Sequence, residues 1–155
     1  MTGVSSFAQC YDIYYCAALR GGYNVLAHQP TADAYVACDI KNFRTKIELG
    51  MGTLPATDDR NVSRFAYVSP SAGVAFGGQN VYYILVGGMP WRKYVSPASN
   101  NTFNDVWHFK VESGIEFRLN DWFFWNIETM YMLPGRNHDR ECPNLAFKTG
   151  VGVNF

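Results

Sequence analysis

The sequence predicts an all-β chain, an eight-stranded antiparallel up-and-down transmembrane β-barrel with short turns at one end and long loops at the other. The first observation behind this is the alternation over 145–155. There Leu145, Phe147, Thr149, Val151, Val153 and Phe155 take every second position, and Ala146, Lys148, Gly150, Gly152 and Asn154 fill the gaps. In a strand the two sets point to opposite faces, one apolar and one small or polar. The second observation is that seven more segments repeat this period. The third is that short and long connections between them alternate.

Period-2 alternation places strands near 11–19, 33–41, 43–52, 65–77, 81–91, 106–119, 123–133 and 145–155. The third sets Phe43, Thr45, Ile47, Leu49 and Met51 against Arg44, Lys46, Glu48, Gly50 and Gly52. The sixth is the clearest, with Trp107, Phe109, Val111, Ile115, Phe117 and Leu119 against His108, Lys110, Glu112, Glu116 and Arg118. The seventh puts Phe123, Trp125, Ile127, Thr129, Tyr131 and Leu133 opposite Asn126 and Glu128. Such lengths match the ~9–11 residues a tilted strand needs to cross a bilayer.

Lys41 and Asn42, 77–80, and 120–122 read as hairpin turns, rich in Gly, Asn and Asp. The stretches 20–32, 53–64, 92–105 and 134–144 read as long loops, with Pro30, Pro55, Pro97, Pro134 and Pro143. Closing eight strands into a barrel removes the sheet edges that lipid penalises. Phe43, Phe76, Phe117, Phe123, Trp125 and Phe155 cluster toward the short-turn end. Phe65, Tyr67, Trp91, Tyr94, Trp107 and Tyr131 cluster toward the loop end, as two interfacial aromatic belts require. A soluble lipocalin-like barrel would turn the apolar face inward, but Phe, Trp, Ile and Leu from eight strands overfill so small a lumen.

Charged residues make up 17% of the chain, aromatics 16%, and the formal net charge is zero. No basic stripe points to nucleic acid. No apolar run approaches the ~20 residues of a membrane helix. Residues 1–8 look like the remnant of a signal peptide, with Ser6 and Ala8 before a cleavage point at Gln9, leaving 9–155 as the barrel domain. Cys10 follows Gln9 where a lipid-attachment motif needs a small residue, which argues against lipidation.

On these residues the chain resembles the small eight-stranded outer-membrane barrels of the OmpA transmembrane-domain and OmpX type. The resemblance implies a bacterial outer-membrane location with periplasmic termini, contact with outer-membrane lipids and lipopolysaccharide, and handling by the barrel-insertion machinery. It also implies that Phe147, Val151, Val153 and Phe155 carry the insertion signal.

The inward face then holds Asp39, Arg44, Lys46, Glu48, His108, Lys110, Glu112, Glu116, Arg118, Glu128 and Lys148. Asp39 should face Arg44 across the Lys41 turn, and Tyr35 should face Glu48. Charges shut in so narrow an interior must pair. That predicts a salt-bridged plug, with a narrow, weakly selective pore as the alternative. Lipid A-modifying catalysis is disfavoured, since His108, Phe109 and Lys110 put Lys where a deacylase-type barrel carries its serine. His28 and His138, Asp58 and Asp59 fall in outer loops. No cofactor or metal cluster is expected, as the three His are scattered and Cys10, Cys16, Cys38 and Cys142 lack metal spacing. Cys16 and Cys38 should sit on opposite faces of adjacent strands. The expected function is a membrane anchor whose loops carry recognition, adhesion or partner binding, with Arg60, Arg92, Lys93, Tyr94, Arg136, His138 and Arg140 as contacts. A third reading is an accessory subunit of a larger membrane complex. A charge on the lipid face at Val151 should cost far more than one at the Gly77 turn.

Overall fold

A computed structural model of the chain describes residues 13–25, 28–53, 64–93, 104–133 and 145–155. They form β1 (Ile13–Asn24), β2 (Gln29–Ile40), β3 (Phe43–Thr53), β4 (Arg64–Gly77), β5 (Asn80–Lys93), β6 (Asn104–Arg118), β7 (Phe123–Met132) and β8 (Leu145–Asn154). Each strand pairs antiparallel with the next, and β8 returns to β1, closing the barrel. The closure also uses the last residue, whose N–H donates to the Tyr15 carbonyl at 3.0 Å while its ring stacks on Tyr15.

The register fixes the barrel's shape. From Gly77 the partners run to Val81, Glu116, Asn126, Gly150, Arg20, Asp33 and Gly50, then back to β4 at Tyr67. The path returns ten residues from its start along β4. That stagger tilts eight strands by roughly 40° and leaves an interior wide enough for side chains alone.

The faces follow the alternation. Leu19, Val36, Ile47, Leu49, Val86, Phe109 and Val151 are exposed on the outside, whereas Arg44, Lys46, Glu48, Lys110, Glu112, Glu128 and Lys148 are buried. This inversion of a soluble protein is stable only with hydrocarbon outside, where an apolar side chain loses nothing by exposure. Phe43, Phe76, Phe123, Trp125 and Phe155 are exposed near the short-turn end, and Tyr131 near the other. Tyr67 corrects the outer belt, because its inward parity on β4 buries it in the lumen. Tyr94 and the side chains of Phe65, Trp91 and Trp107 lie outside the described residues.

The first loop is a second correction. β1 and β2 run on to Asn24 and Gln29, so their connection spans only 25–28, with His28 at φ 53°. Gly21, Gly22 and Pro30 misled the reading toward a long loop over 20–32. Gly22 is a close-approach position, since a Cβ there would meet the Phe147 carbonyl and the side chains of Thr31 and Lys148. At the opposite end the Asn120 Oδ1 accepts the N–H groups of Trp122 and Phe123, both at 2.8 Å, and sets the β6–β7 turn.

A third correction concerns Gly77. Its φ is +135°, and an added Cβ would collide with the Asn80 carbonyl oxygen, so any side chain there is strained. Gly78 has open space around it and is the proper control for a turn charge. We expect Val151→Arg to lose up to about 2–4 kcal/mol and Gly78→Arg to be close to neutral, in reversible unfolding from lipid vesicles. Equal losses would show that Val151 does not face lipid.

Candidate functional site: the sealed lumen

The interior is built in tiers from alternate residues of every strand. At the short-turn end Arg44 lies between two carboxylates. Its Nε and Nη2 reach Asp39 at 2.6 and 2.7 Å, and its Nη1 and Nη2 reach Glu116 at 2.7 and 2.9 Å. Bidentate geometry of this kind suits the planar guanidinium. The Tyr35 hydroxyl donates to Glu116 at 2.8 Å, and the Tyr83 ring lies 4.8 Å from the guanidinium carbon of Arg44.

The middle tier centres on Arg20. Its three nitrogens meet Asp33 at 2.6 Å and Glu48 and Glu128 at 2.7 Å each. Lys46 approaches Glu128, Glu112 and Glu48 at 2.7, 3.0 and 3.5 Å. Lys148 joins Glu48 and Asp33 at 2.6 and 2.9 Å, and Lys110 joins Glu112 at 2.5 Å. Tyr67 donates to Glu48, Tyr83 to Glu128 and Ser71 to Glu112. The side chains of Arg20, Lys46, Glu48, Lys110, Glu112 and Glu128 are 0% exposed. Above them Tyr67, Met130, Met132 and Ala146 form an apolar cluster.

Room for these groups comes from glycine. Gly50, Gly114 and Gly152 sit directly opposite Tyr67, Tyr83 and Phe124 in the register. A Cβ on any of the three would overlap the ring of its partner. The rings therefore lie flat along the wall over backbone, and the charged groups take the axis.

Of the residues expected to line the lumen, Asp39, Arg44, Lys46, Glu48, Lys110, Glu112, Glu116, Glu128 and Lys148 are brought into these ion pairs. Asp39 faces Arg44 and Tyr35 faces Glu48 in the β2–β3 register. Arg118 stands outside the sealed network. It is exposed at the barrel mouth, with its guanidinium 5.9 Å from the Tyr14 ring centre. The backbone of His108 pairs with Met89, and its side chain lies outside the described residues. Arg20 and Asp33 are the partners that sequence reasoning missed. Arg20 fell in the segment read as a loop over 20–32, although the inward parity of Cys16 and Ala18 continues to it, and Asp33 opened the strand read over 33–41, on the parity of Tyr35 and Asp39, without being counted among the inward charges.

Glu48, Glu112 and Glu128 bring carboxylate oxygens within 4.8 Å of one another, as a metal site does. The Lys46 ammonium already stands among them, so the arrangement is a salt-bridge lattice, and a metal would have to displace that ammonium. Cys16 is buried and inward while Cys38 is half-exposed and outward, and both are free thiols. Cys10 and Cys142 lie outside the described residues, as do residues 1–8, Asp58, Asp59, Arg60, Arg136, His138 and Arg140.

No family model and no curated protein matches this chain. Solved structures do. The N-terminal β-barrel domain of Pseudomonas aeruginosa OprF superposes with a TM-score of 0.65 at 13% identity, covering 92% of this chain and 97% of that one. Neisserial surface protein A gives 0.59 at 13%, covering 92% and 94%. The Yersinia pestis outer membrane protein Ail, in a phospholipid nanodisc, gives 0.60 at 14%, covering 92% and 99%. Its complex with the heparin analogue sucrose octasulfate gives 0.56 at 14%, covering 92% and 96%. The fold is that of the small eight-stranded outer-membrane β-barrels. Its apolar exterior is that of an integral outer-membrane protein.

Arg20→Met should lose about 3–5 kcal/mol, because it takes a shared cation from three buried carboxylates and leaves the sealed interior with excess negative charge, whereas Arg118→Met should change little. Unfolding in vesicles checks the pair. Gly114→Val should lose about 1–3 kcal/mol by driving Tyr83 off the wall, with Gly21→Val, at a position of open space, as the tolerant control.

Proposed function

We propose that this chain is an integral outer-membrane anchor, not an enzyme, whose closed barrel holds extracellular loops that carry recognition, adhesion or partner binding. The sealed lumen carries this reading. An axis filled by ion-paired side chains with no exposed surface offers neither a path for solute nor a cleft for substrate. What the barrel offers instead is a rigid frame that fixes loop spacing while loop sequence varies.

The loop contacts are Arg60, Tyr94, Arg136, His138 and Arg140, with Arg92 and Lys93 ending β5. Five of the seven are permanently cationic, which suits phosphate or sulfate groups. Lipopolysaccharide and a protein partner, including a larger membrane complex, are the occupants this favours. The sulfated ligand bound by Ail belongs to the same chemistry. Removing 94–103 and 134–144 together with Arg60→Ala, Arg92→Ala and Lys93→Ala should abolish binding to lipopolysaccharide vesicles and leave heat-modifiable gel migration intact. Loss of folding instead would defeat the separation of anchor from loops.

The narrow-pore alternative is tested on the same protein. Planar-bilayer recordings of the refolded chain should be silent, and discrete conductance altered by Lys46→Ala or Glu112→Ala would replace the anchor reading with the pore. For assembly, Phe147, Val151, Val153 and Phe155 form the outward face that the insertion machinery reads. Phe155→Asp should leave the chain uninserted in cells, whereas Lys148→Ala, on the inward face of the same strand, should disturb insertion much less. Equal insertion of the two variants would remove that role from Phe155.

A further inference from the structure

Ala17 and Ala34 break the outward face of the barrel. Alternation turns both toward lipid, on β1 and β2, yet each is half-buried, while Leu19, Val36 and Val151 beside them stand 69%, 54% and 62% exposed. The register shows why. One outward row runs through Phe123, Val153, Ala17, Val36 and Ile47, and the next through Val151, Leu19, Ala34 and Leu49. Each row drops once to alanine, on adjacent strands, where its other members are branched or aromatic. The two missing side chains sink the surface, and a groove of about 540 Å³ lies over them.

The lining restricts what can sit there. Among the described residues, no charged side chain lines the groove. Tyr35 touches it but turns its hydroxyl inward, onto Glu116. The backbone offers nothing either, because β7, β8, β1, β2 and β3 are paired with one another across the whole groove. A polar ligand or an added polypeptide strand would leave its hydrogen-bonding groups unmet.

Shape and depth narrow the choice further. The groove runs from Phe123 on β7, across β8, β1 and β2, to Leu49 on β3, so it wraps five of the eight strands. A second barrel presents a convex wall, which meets another convex wall along a line and cannot follow that curve. A hydrocarbon chain can. Crossing four strand spacings of ~4.8 Å at a tilt of roughly 40°, a row climbs about 12 Å. Phe123 at its foot is one of the exposed aromatics of the short-turn end, and the lipid-facing band is ~25 Å tall. The first row therefore rises from headgroup level to about the midplane.

We propose that the groove over Ala17 and Ala34 seats one acyl chain of a phospholipid from the leaflet on the short-turn side, and holds it more tightly than the rest of the wall holds its lipid. A chain lying there meets side chains beneath it and on both flanks, where a smooth wall offers contact on one side only. Each added contact contributes dispersion energy. The proposal shares the membrane location of the anchor reading and is independent of what the loops bind.

The test uses the full chain refolded in phosphatidylcholine vesicles doped with a phosphatidylcholine that carries a photoreactive diazirine midway along one acyl chain. The controls are Val74 and Ile84, which are exposed to lipid and pair with each other on β4 and β5, across the barrel from the groove. After photolysis, peptide mass spectrometry should find roughly threefold more label on Ala17, Ala34 and Val36 than on these two. Ala17→Leu combined with Ala34→Leu levels the floor without changing its polarity and should bring the two sets to parity. Even labelling around the wall of the unmodified chain is ordinary surrounding lipid and overturns the proposal. Excess label that survives in the double variant overturns it as well, since the groove is then not what holds the chain. Less label in the groove than on Val74 and Ile84 also overturns it, and gives the face to a second copy if crosslinking finds a dimer. The comparison within the unmodified chain needs no variant to fold, and it leaves the lipopolysaccharide-binding test of the loops untouched.

Discussion

The structure depends on keeping charge inside a tube too narrow for water to solvate it. Eight strands at a stagger of ten leave an interior for side chains only, and that interior contains Arg20, Arg44, Lys46, Lys110 and Lys148. Each must find a carboxylate within contact distance, because an uncompensated ion at this depth costs several kcal/mol. The positions of Asp33, Asp39, Glu48, Glu112, Glu116 and Glu128 are best understood as answers to those five cations. Glu48 answers most of them, meeting Arg20, Lys46 and Lys148 and accepting from Tyr67.

The tyrosines extend the same logic. Tyr35 and Tyr83 stand between the lower and middle tiers, with cations over their rings and carboxylates on their hydroxyls. Each presents a polar tip to one tier and a polarisable face to the other, so the two ionic clusters are separated without a void. Glycine makes this possible by letting the rings lie against bare backbone. Barrel width, aromatic placement and glycine placement are one problem with one solution, which is why Gly114 and Tyr83 have to be considered together.

The alternation that marks strands was clearest in β3, β6 and β7, where a polar and an apolar set interleave, whereas β5 is apolar on both faces from Val81 to Val86. From that alternation the inward set, the Asp39–Arg44 pair and the separation of Cys16 from Cys38 could be read directly. Arg20 was lost because Gly21, Gly22 and Pro30 carry turn chemistry, and the local signal outweighed the parity running through them, while Asp33 shared the parity of Tyr35 and Asp39 at the very start of its strand. Tyr67 was misplaced for a different reason. Its height on β4 was read correctly but its face was not, since Tyr satisfies either a headgroup belt or a buried carboxylate. Gly77 looked like any flexible turn residue, and only its φ distinguishes it from Gly78.

The distribution of the middle tier over the sheet bears on how such a chain enters a membrane. Arg20 is on β1, Asp33 on β2, Lys46 and Glu48 on β3, Lys110 and Glu112 on β6, Glu128 on β7 and Lys148 on β8. Arg20 and Asp33 pair within the β1–β2 hairpin, but most other contacts of the tier cross from one hairpin to another. Lys148 finds its anions on β2 and β3, and Lys46 finds two of its three on β6 and β7. A sheet that advanced into the bilayer one hairpin at a time would drag bare ions through hydrocarbon. The lattice is complete only when the last strand meets the first, so its stabilisation arrives with ring closure.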